Sequence, residues 1–283
     1  MNQLHKTAYS RGLLLPPSLF VRRTIGRLRR RTMRVPHLPV TTVINGRIRF
    51  EHQRLPFLTD ENLRAMISHT YDINLCAYLQ NHLSAGDIML DAGANIGYIS
   101  AVAASYVGPS GEVHGFEPLQ ECFARLQRLA ALNPEFRLVF NNVALGNEER
   151  VLSISCPGAD ARNATLVPGK NYSEVRPVPV KRLDDYIFRS IQSPERIKVI
   201  KIDVQGFEYP VLMGLEKFFS RTRFRPLIVC DVKLWELPGL GYTIGEFEQY
   251  MSSFGYAAYH LVRDVPIDLR QIKDFQSVLF RAW

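Results

Sequence analysis

Three short clusters in this 283-residue chain carry residue types and spacings that can do chemistry: Asp91-Ala-Gly93-Ala-Asn95-Ile-Gly97-Tyr98, the acid Glu117 after Gly115-Phe116, and Lys201-Ile-Asp203-Val-Gln205-Gly206-Phe207-Glu208. In the first, an acid and two glycines spaced D-x-G-x-x-x-G follow the apolar Ile88-Met89-Leu90 and lead into an apolar helix. A glycine-rich turn at the start of a helix lets the backbone approach a ligand closely. Which ligand is decided by the spacing. A dinucleotide site wants G-x-G-x-x-G, but Asn95 and Tyr98 stand where the second and third glycines belong, and the P-loop pattern G-x-x-x-x-G-K-[ST] is absent. A ligand without a phosphate at this turn is expected.

S-adenosylmethionine meets that requirement, since it presents an amino acid, a ribose and an adenine around a sulfonium. Gly93 and Gly97 are expected to admit its amino-acid end, and Asp91 to accept from its ammonium. Glu117 lies 20 residues after Gly97, where a carboxylate can accept from both ribose hydroxyls. Nicotinamide enzymes place an acid there too, so Glu117 supports a ribose and leaves the choice of cofactor to the glycines. Two glycines in an ordinary tight turn are the plainer alternative.

In the third cluster, alternation along a strand puts Lys201, Asp203 and Gln205 on one face, at the strand end that borders the ligand crevice of such folds. A carboxylate at that strand end can serve as a general base toward a group bound in the crevice. The candidate catalytic residues are Asp203 first, Glu208 second, and Asp231, at the end of the next strand, third. The same three acids could instead hold a divalent cation through oxygen, and Glu208 alone could simply face a helix dipole; no metal ligand is assigned. Among the histidines, His114 reads as a satisfied core residue, His69 as one that could reach the mouth of the site, and His260 as one with no evident partner.

The elements that must position these clusters alternate. A helix is predicted over 60–83, a strand over 88–91, a helix over 96–107, a strand over 112–116, a helix whose Leu119, Phe123, Leu126, Leu129 and Leu132 recur every three or four residues, and a strand over 137–144. After less regular strands at 151–155 and 175–180, the alternation resumes with a strand at 197–204, a helix at 207–219, a strand at 226–232 and a helix opened by the capping box Thr243-Ile-Gly-Glu246. Strands at 256–262 and 277–280 close the series. Strand–helix alternation of this kind gives an α/β, doubly wound, mostly parallel sheet.

The net charge of +8 is unevenly spread. Residues 1–50 carry one Lys and ten Arg and no acid, whereas the remainder carries 24 basic and 27 acidic groups. The domains are therefore set at 1–50, a basic extension, and 51–283, the catalytic body. The extension suits a solvated arm, peripheral contact with anionic membrane, a mitochondrial transit peptide over 1–34 if the source is eukaryotic, or a nucleic-acid arm. Nucleic acid is disfavoured because the body is net acidic and shows no RNA-binding module. No run approaches the roughly 20 apolar residues of a membrane span. The four cysteines form no C-x-x-C pair, which favours reduced thiols and a cytoplasmic setting, and the N-x-[ST] triplets at Asn163 and Asn171 are read as chance.

Taken with Gly115-Phe-Glu-Pro118, Asn142-Val-Ala-Leu-Gly146, Val178-Pro-Val-Lys-Arg-Leu-Asp-Asp185, Ile200-Lys-Ile-Asp-Val-Gln-Gly-Phe-Glu208 and Val211-Leu-Met-Gly214, the first cluster resembles the FkbM-type S-adenosylmethionine-dependent methyltransferases from residue 71 to the C-terminus. Gln205 departs from the family pattern, which has Glu there. The resemblance implies a Rossmann-like class I methyltransferase fold, seven strands with the last antiparallel and helices on both faces. It implies O-methylation of a hydroxyl on a sugar, glycolipid, polyketide or similar metabolite. By the same carry-over Asp91, Gly93, Asn95 and Gly97 hold the methionine end, Glu117 the ribose, and Asn142 and Val143 line the adenine. The alternatives are an RNA methyltransferase using the basic arm, and a silent methyltransferase-like binding module.

Overall fold

The computed structural model describes Val35 and residues 38–157, 163–170 and 172–283. The readings placed on residues 1–34, and the triplet at Asn171, fall outside the described residues. Among the described residues, a hairpin lies across the boundary set at residue 51. An antiparallel hairpin, β1 (Val40–Ile44) and β2 (Ile48–His52), buries Ile44, Ile48 and Phe50. It is tied down by the Arg49 N–H, which donates to the Asn133 side chain at 2.8 Å, and by Arg125 and Arg128, which both grip Glu51. Arg47 and Arg49 thus belong to the folded body, not to a basic arm.

The helix predicted over 60–83 is two helices, α1 (Asp60–Ile67) and α2 (Ile73–His82). The break follows from local hydrogen bonding: the Ser68 hydroxyl turns back to the Arg64 carbonyl, the N–H groups of Thr70 and Tyr71 share that of Ala65, and His69 and Asp72 take positive φ. Asp72 then caps α2 through its side chain.

The main sheet contains β3 (Ile88–Ala92), β4 (Glu112–Phe116), β5 (Arg137–Asn141), β9 (Ile197–Ile202), β10 (Leu227–Val232), β11 (Tyr256–His260) and β12 (Gln276–Ala282). Their order is β11-β12-β10-β9-β3-β4-β5, parallel except for β12, which runs antiparallel between β10 and β11. In the register of β3 with β9, Asp91 lies beside Lys201. Every residue of β3 is buried, because helices cover both faces. On one side pack α2, α3 (Tyr98–Val107) and α4 (Gln120–Leu132) with the hairpin. On the other lie α5 (Leu183–Ser190), α6 (Glu208–Met213), α7 (Glu216–Arg221) and α8 (Ile244–Ser253).

Two further expected elements differ. The helix over 207–219 is split into α6 and α7 at Gly214, where the Asp184 carboxylate accepts the Lys217 N–H at 2.9 Å and restarts the chain. The strand over 137–144 ends at Asn141. The next residues form β6 (Ala144–Leu145), which pairs with β8 (Glu174–Lys181) and so joins β7 (Arg150–Cys156) in a separate three-stranded sheet. The capping box at Thr243 forms as predicted. All four cysteines are free thiols.

Candidate active site

A cavity of about 300 Å³ opens at the C-terminal ends of β3, β4 and β9. Here the chain passes from strands added on one side of β3 to strands added on the other, the switch point where open α/β sheets bind ligands. Asp72, Asn95, Glu117, Val143, Asp203 and Gln205 all line it.

The turn after β3 is shaped by its crossing of the β9 loop. Gly93 sits at φ +77°, and a Cβ there would fall 1.9 Å from the Asp203 carbonyl oxygen, so only glycine lets the two loops touch. Asn95, at φ +50°, accepts the Ile96 N–H with its own side chain at 2.8 Å. Gly97 has a different job from the one expected. It does not line the cavity; a Cβ on it would meet Leu126 and Leu129 of α4, so it permits close packing between helices.

Asp91 is also not on the cavity wall. It is fully buried, accepts the Ser100 hydroxyl at 2.6 Å and pairs with Lys201 Nζ at 2.9 Å. Lys201 donates further to the Gly93 carbonyl at 2.8 Å. Burial alone would depress the Lys201 ammonium, but Asp91 and then Asp203 raise it above its ordinary value. This pair locks β3 to β9 beneath the turn.

Glu117 lines the cavity where it was expected. Its two oxygens accept the Asn95 and Leu119 N–H groups, each at 2.9 Å, and burial pushes its carboxyl up to about 7 against those two bonds. Val143 lines the wall beyond it, whereas Asn142 points away and donates to the Glu117 and Pro118 carbonyls, fixing that loop.

The three acids chosen as catalytic candidates separate. Asp203 lines the cavity, and the Gln205 side-chain amide donates to it at 2.7 Å. Gln205, at φ +58°, accepts from Lys233 with its other end, bridging acid and base. Glu208 is buried off the cavity; it accepts the Gly206 N–H at 2.8 Å and that of Val204 at 3.3 Å, and burial pushes it up to about 7. Its work is to shape the turn that carries Gln205. Asp231 is not on the cavity wall and accepts the Ser277 hydroxyl, with burial and then Asp203 pushing it up to about 7. Among the described residues no three His, Cys, Asp or Glu side chains converge as a metal site.

His114 is a satisfied core residue, bonded to Tyr186 and Glu112 and lowered by burial. His69 lines a smaller cavity beside α2, not the mouth of this one. The His260 ring accepts the backbone N–H groups of Val262 and Arg263. Sequence reasoning missed Asp72, which falls inside the single helix predicted over 60–83 and reaches the cavity only because that helix breaks. It also missed Ile154, Ala164 and Leu166, which the three-stranded sheet and its following loop bring to the cavity from far along the chain.

Strand order, a glycine turn over β9 and a carboxylate at the end of β4 together define a Rossmann-like class I methyltransferase fold. Residues 91–258 match the model of the methyltransferase FkbM domain, and the chain belongs to that family. It is 29% identical over 177 residues to methyltransferase sdnD of Sordaria araneosa, covering 53% of this chain and 65% of that protein. It is 25% identical over 146 residues to methyltransferase 1 of Beauveria bassiana strain ARSEF 2860, covering 45% of this chain and 58% of that one. The matches therefore span less than two thirds of either relative. Among solved structures, methyltransferase FkbM from Methylobacillus flagellatus KT overlays with a TM-score of 0.42 at 15% identity, covering 78% of this chain and 54% of that chain. Aeropyrum pernix fibrillarin with bound S-adenosyl-L-methionine overlays at 0.44 and 12%, covering 88% and 84%.

Proposed function

We propose that the protein is an S-adenosylmethionine-dependent O-methyltransferase acting on a hydroxyl of a sugar, glycolipid, polyketide or related metabolite. The observation that carries this reading is the cavity at the switch point, with Glu117 on one wall and Asp203 on another. The donor set fits the cofactor. Glu117 offers a carboxylate to a ribose diol, Val143, Leu119 and Leu145 offer apolar surface to an adenine, and of the lysines and arginines only Lys201, already paired, lines the cavity among the described residues. Such a wall suits a cation and a diol better than a phosphate.

The bound cofactor would supply an activated methyl group on sulfur with a neutral thioether as leaving group. Asp203 is the base that takes the acceptor hydroxyl's proton, since it alone of the three candidate acids reaches the cavity. Gln205 holds the carboxylate of Asp203 by its amide N–H, and Glu208 holds the turn beneath Gln205. Leu58, Met66 and Ile154 give the acceptor an apolar bed and displace water from the reacting oxygen.

The test is label transfer. Purified protein with methyl-labelled S-adenosylmethionine and fractionated extract should label a lipid, glycan or small-molecule fraction in alkali-stable form. Asp203→Asn should abolish the transfer while keeping calorimetric binding of S-adenosylhomocysteine. Label confined to RNA, or absence of S-adenosylhomocysteine binding, overturns the proposal.

A further inference from the structure

Resting on that cofactor reading, the structure leaves one question open. A ligand with an ammonium needs a carboxylate to meet it, and the acid at the end of β3 is sealed. Asp91 is 0% exposed, has its Ser100 and Lys201 partners, and does not reach the cavity. Asp203 is held by Gln205. Glu117 has a backbone amide on each oxygen. The remaining carboxylate on the cavity wall is Asp72.

Its setting differs from that of the others. Asp72 stays accessible to solvent from the cavity, yet enough protein surrounds it that burial raises its pKa. One oxygen accepts the Leu75 N–H at a long 3.4 Å, and the second has no partner among the described residues. The residue is held at φ +40°, one of three non-glycine residues in the left-handed region on this wall, with Asn95 and Gln205. Backbone strain of that kind persists where a site over-determines it. Asp72 shares the cavity wall with Lys201 of β9 and with Asp203 just after that strand.

We infer that Asp72, from the break between the two N-terminal helices, is the carboxylate that pairs with the α-ammonium of the cofactor's amino-acid end. Asp91 is then the positioning residue that fixes Lys201 and the Gly93 carbonyl beneath it. The docking of α1 and α2 on the sheet would thereby complete the cofactor site.

The experiment is calorimetric and needs no acceptor. S-adenosylhomocysteine and its desamino analogue are titrated into wild type and Asp72→Asn. Asparagine keeps the capping oxygen and tolerates the left-handed backbone, so the fold is retained, checked by thermal melting. Loss of one charge-assisted hydrogen bond is expected to weaken S-adenosylhomocysteine by about ten- to a hundredfold while leaving the desamino analogue unchanged. Asp72→Ser, which also keeps a capping oxygen, is read in the same way if the Asn variant melts early. Equal affinity of wild type and variant for S-adenosylhomocysteine, or equal weakening of both ligands, overturns the assignment. A wild type that binds neither ligand overturns the cofactor reading itself, a result distinct from the other two.

Discussion

Lys201→Met should destabilise the fold by about 3–5 kcal/mol at neutral pH, the usual cost of stranding one partner of a buried ion pair. The geometry explains why the upper half of that range applies. Asp91 has no solvent exposure, and without the ammonium 2.9 Å away only the Ser100 hydroxyl still donates to it. The Gly93 carbonyl loses its donor at 2.8 Å as well. For a domain of this size about 1 kcal/mol moves Tm by 2–4 °C, so the melting point should fall by roughly 10 °C or more. A stranded carboxylate can escape its penalty by taking up a proton. The deficit should therefore shrink as the pH is lowered, by at most about 1.4 kcal/mol per unit. Urea and thermal unfolding at pH 5 and pH 7.5 measure this. The double variant Asp91→Leu with Lys201→Met, which removes both charges, should recover much of the loss. A Tm change under 2 °C for the single variant, or a double variant no better than the single, would refute the view that this pair pins β3 to β9.

Three further outcomes follow from the site. Burial raises Glu117 from 4.5 to about 7, so its proton stabilises the fold at low pH and that contribution is lost as pH rises through about 7. Ribose hydroxyls favour the ionised carboxylate, so S-adenosylhomocysteine affinity should rise by up to about tenfold between pH 6 and 8 with proton release, and Glu117→Gln should flatten the profile. Gly93→Ala should cost roughly 2–4 kcal/mol in chemical unfolding, from left-handed backbone strain plus the clash with the Asp203 carbonyl; a neutral substitution would contradict the loop crossing. Gln205→Glu puts a second carboxylate where an amide now donates to Asp203 at 2.7 Å, and the acidic limb of the transfer rate against pH should move up by about one unit. An unmoved limb would separate Asp203 from the proton transfer.

Much was readable in the chain itself because it depends on local rules. The apolar start of β3 before a glycine turn, the strand–helix alternation around it and the three-to-four spacing of leucines in α4 all rest on such rules. Glu117 stands on the cavity wall, as its position at a strand end foretold. Helix lengths were less legible. Nothing in composition says that Ser68 and Thr70 will bond backward and leave His69 and Asp72 left-handed, or that Asp184 will restart a helix at Lys217.

The chain by itself determined most of the strand series and the glycine turn after β3, since each rests on residues close in sequence. Only tertiary structure decided which polar residues line the cavity. Asp91, Gly97, Asn142, Glu208 and Asp231 were chosen from the sequence but stand off the cavity, in part because the parallel register sets Asp91 against Lys201 and α4 presses on Gly97. Asp72, Ile154 and Leu166 reach the cavity from distant segments through long-range packing, and burial by that packing, not residue type, raises the Glu117 and Asp231 carboxyls toward neutrality.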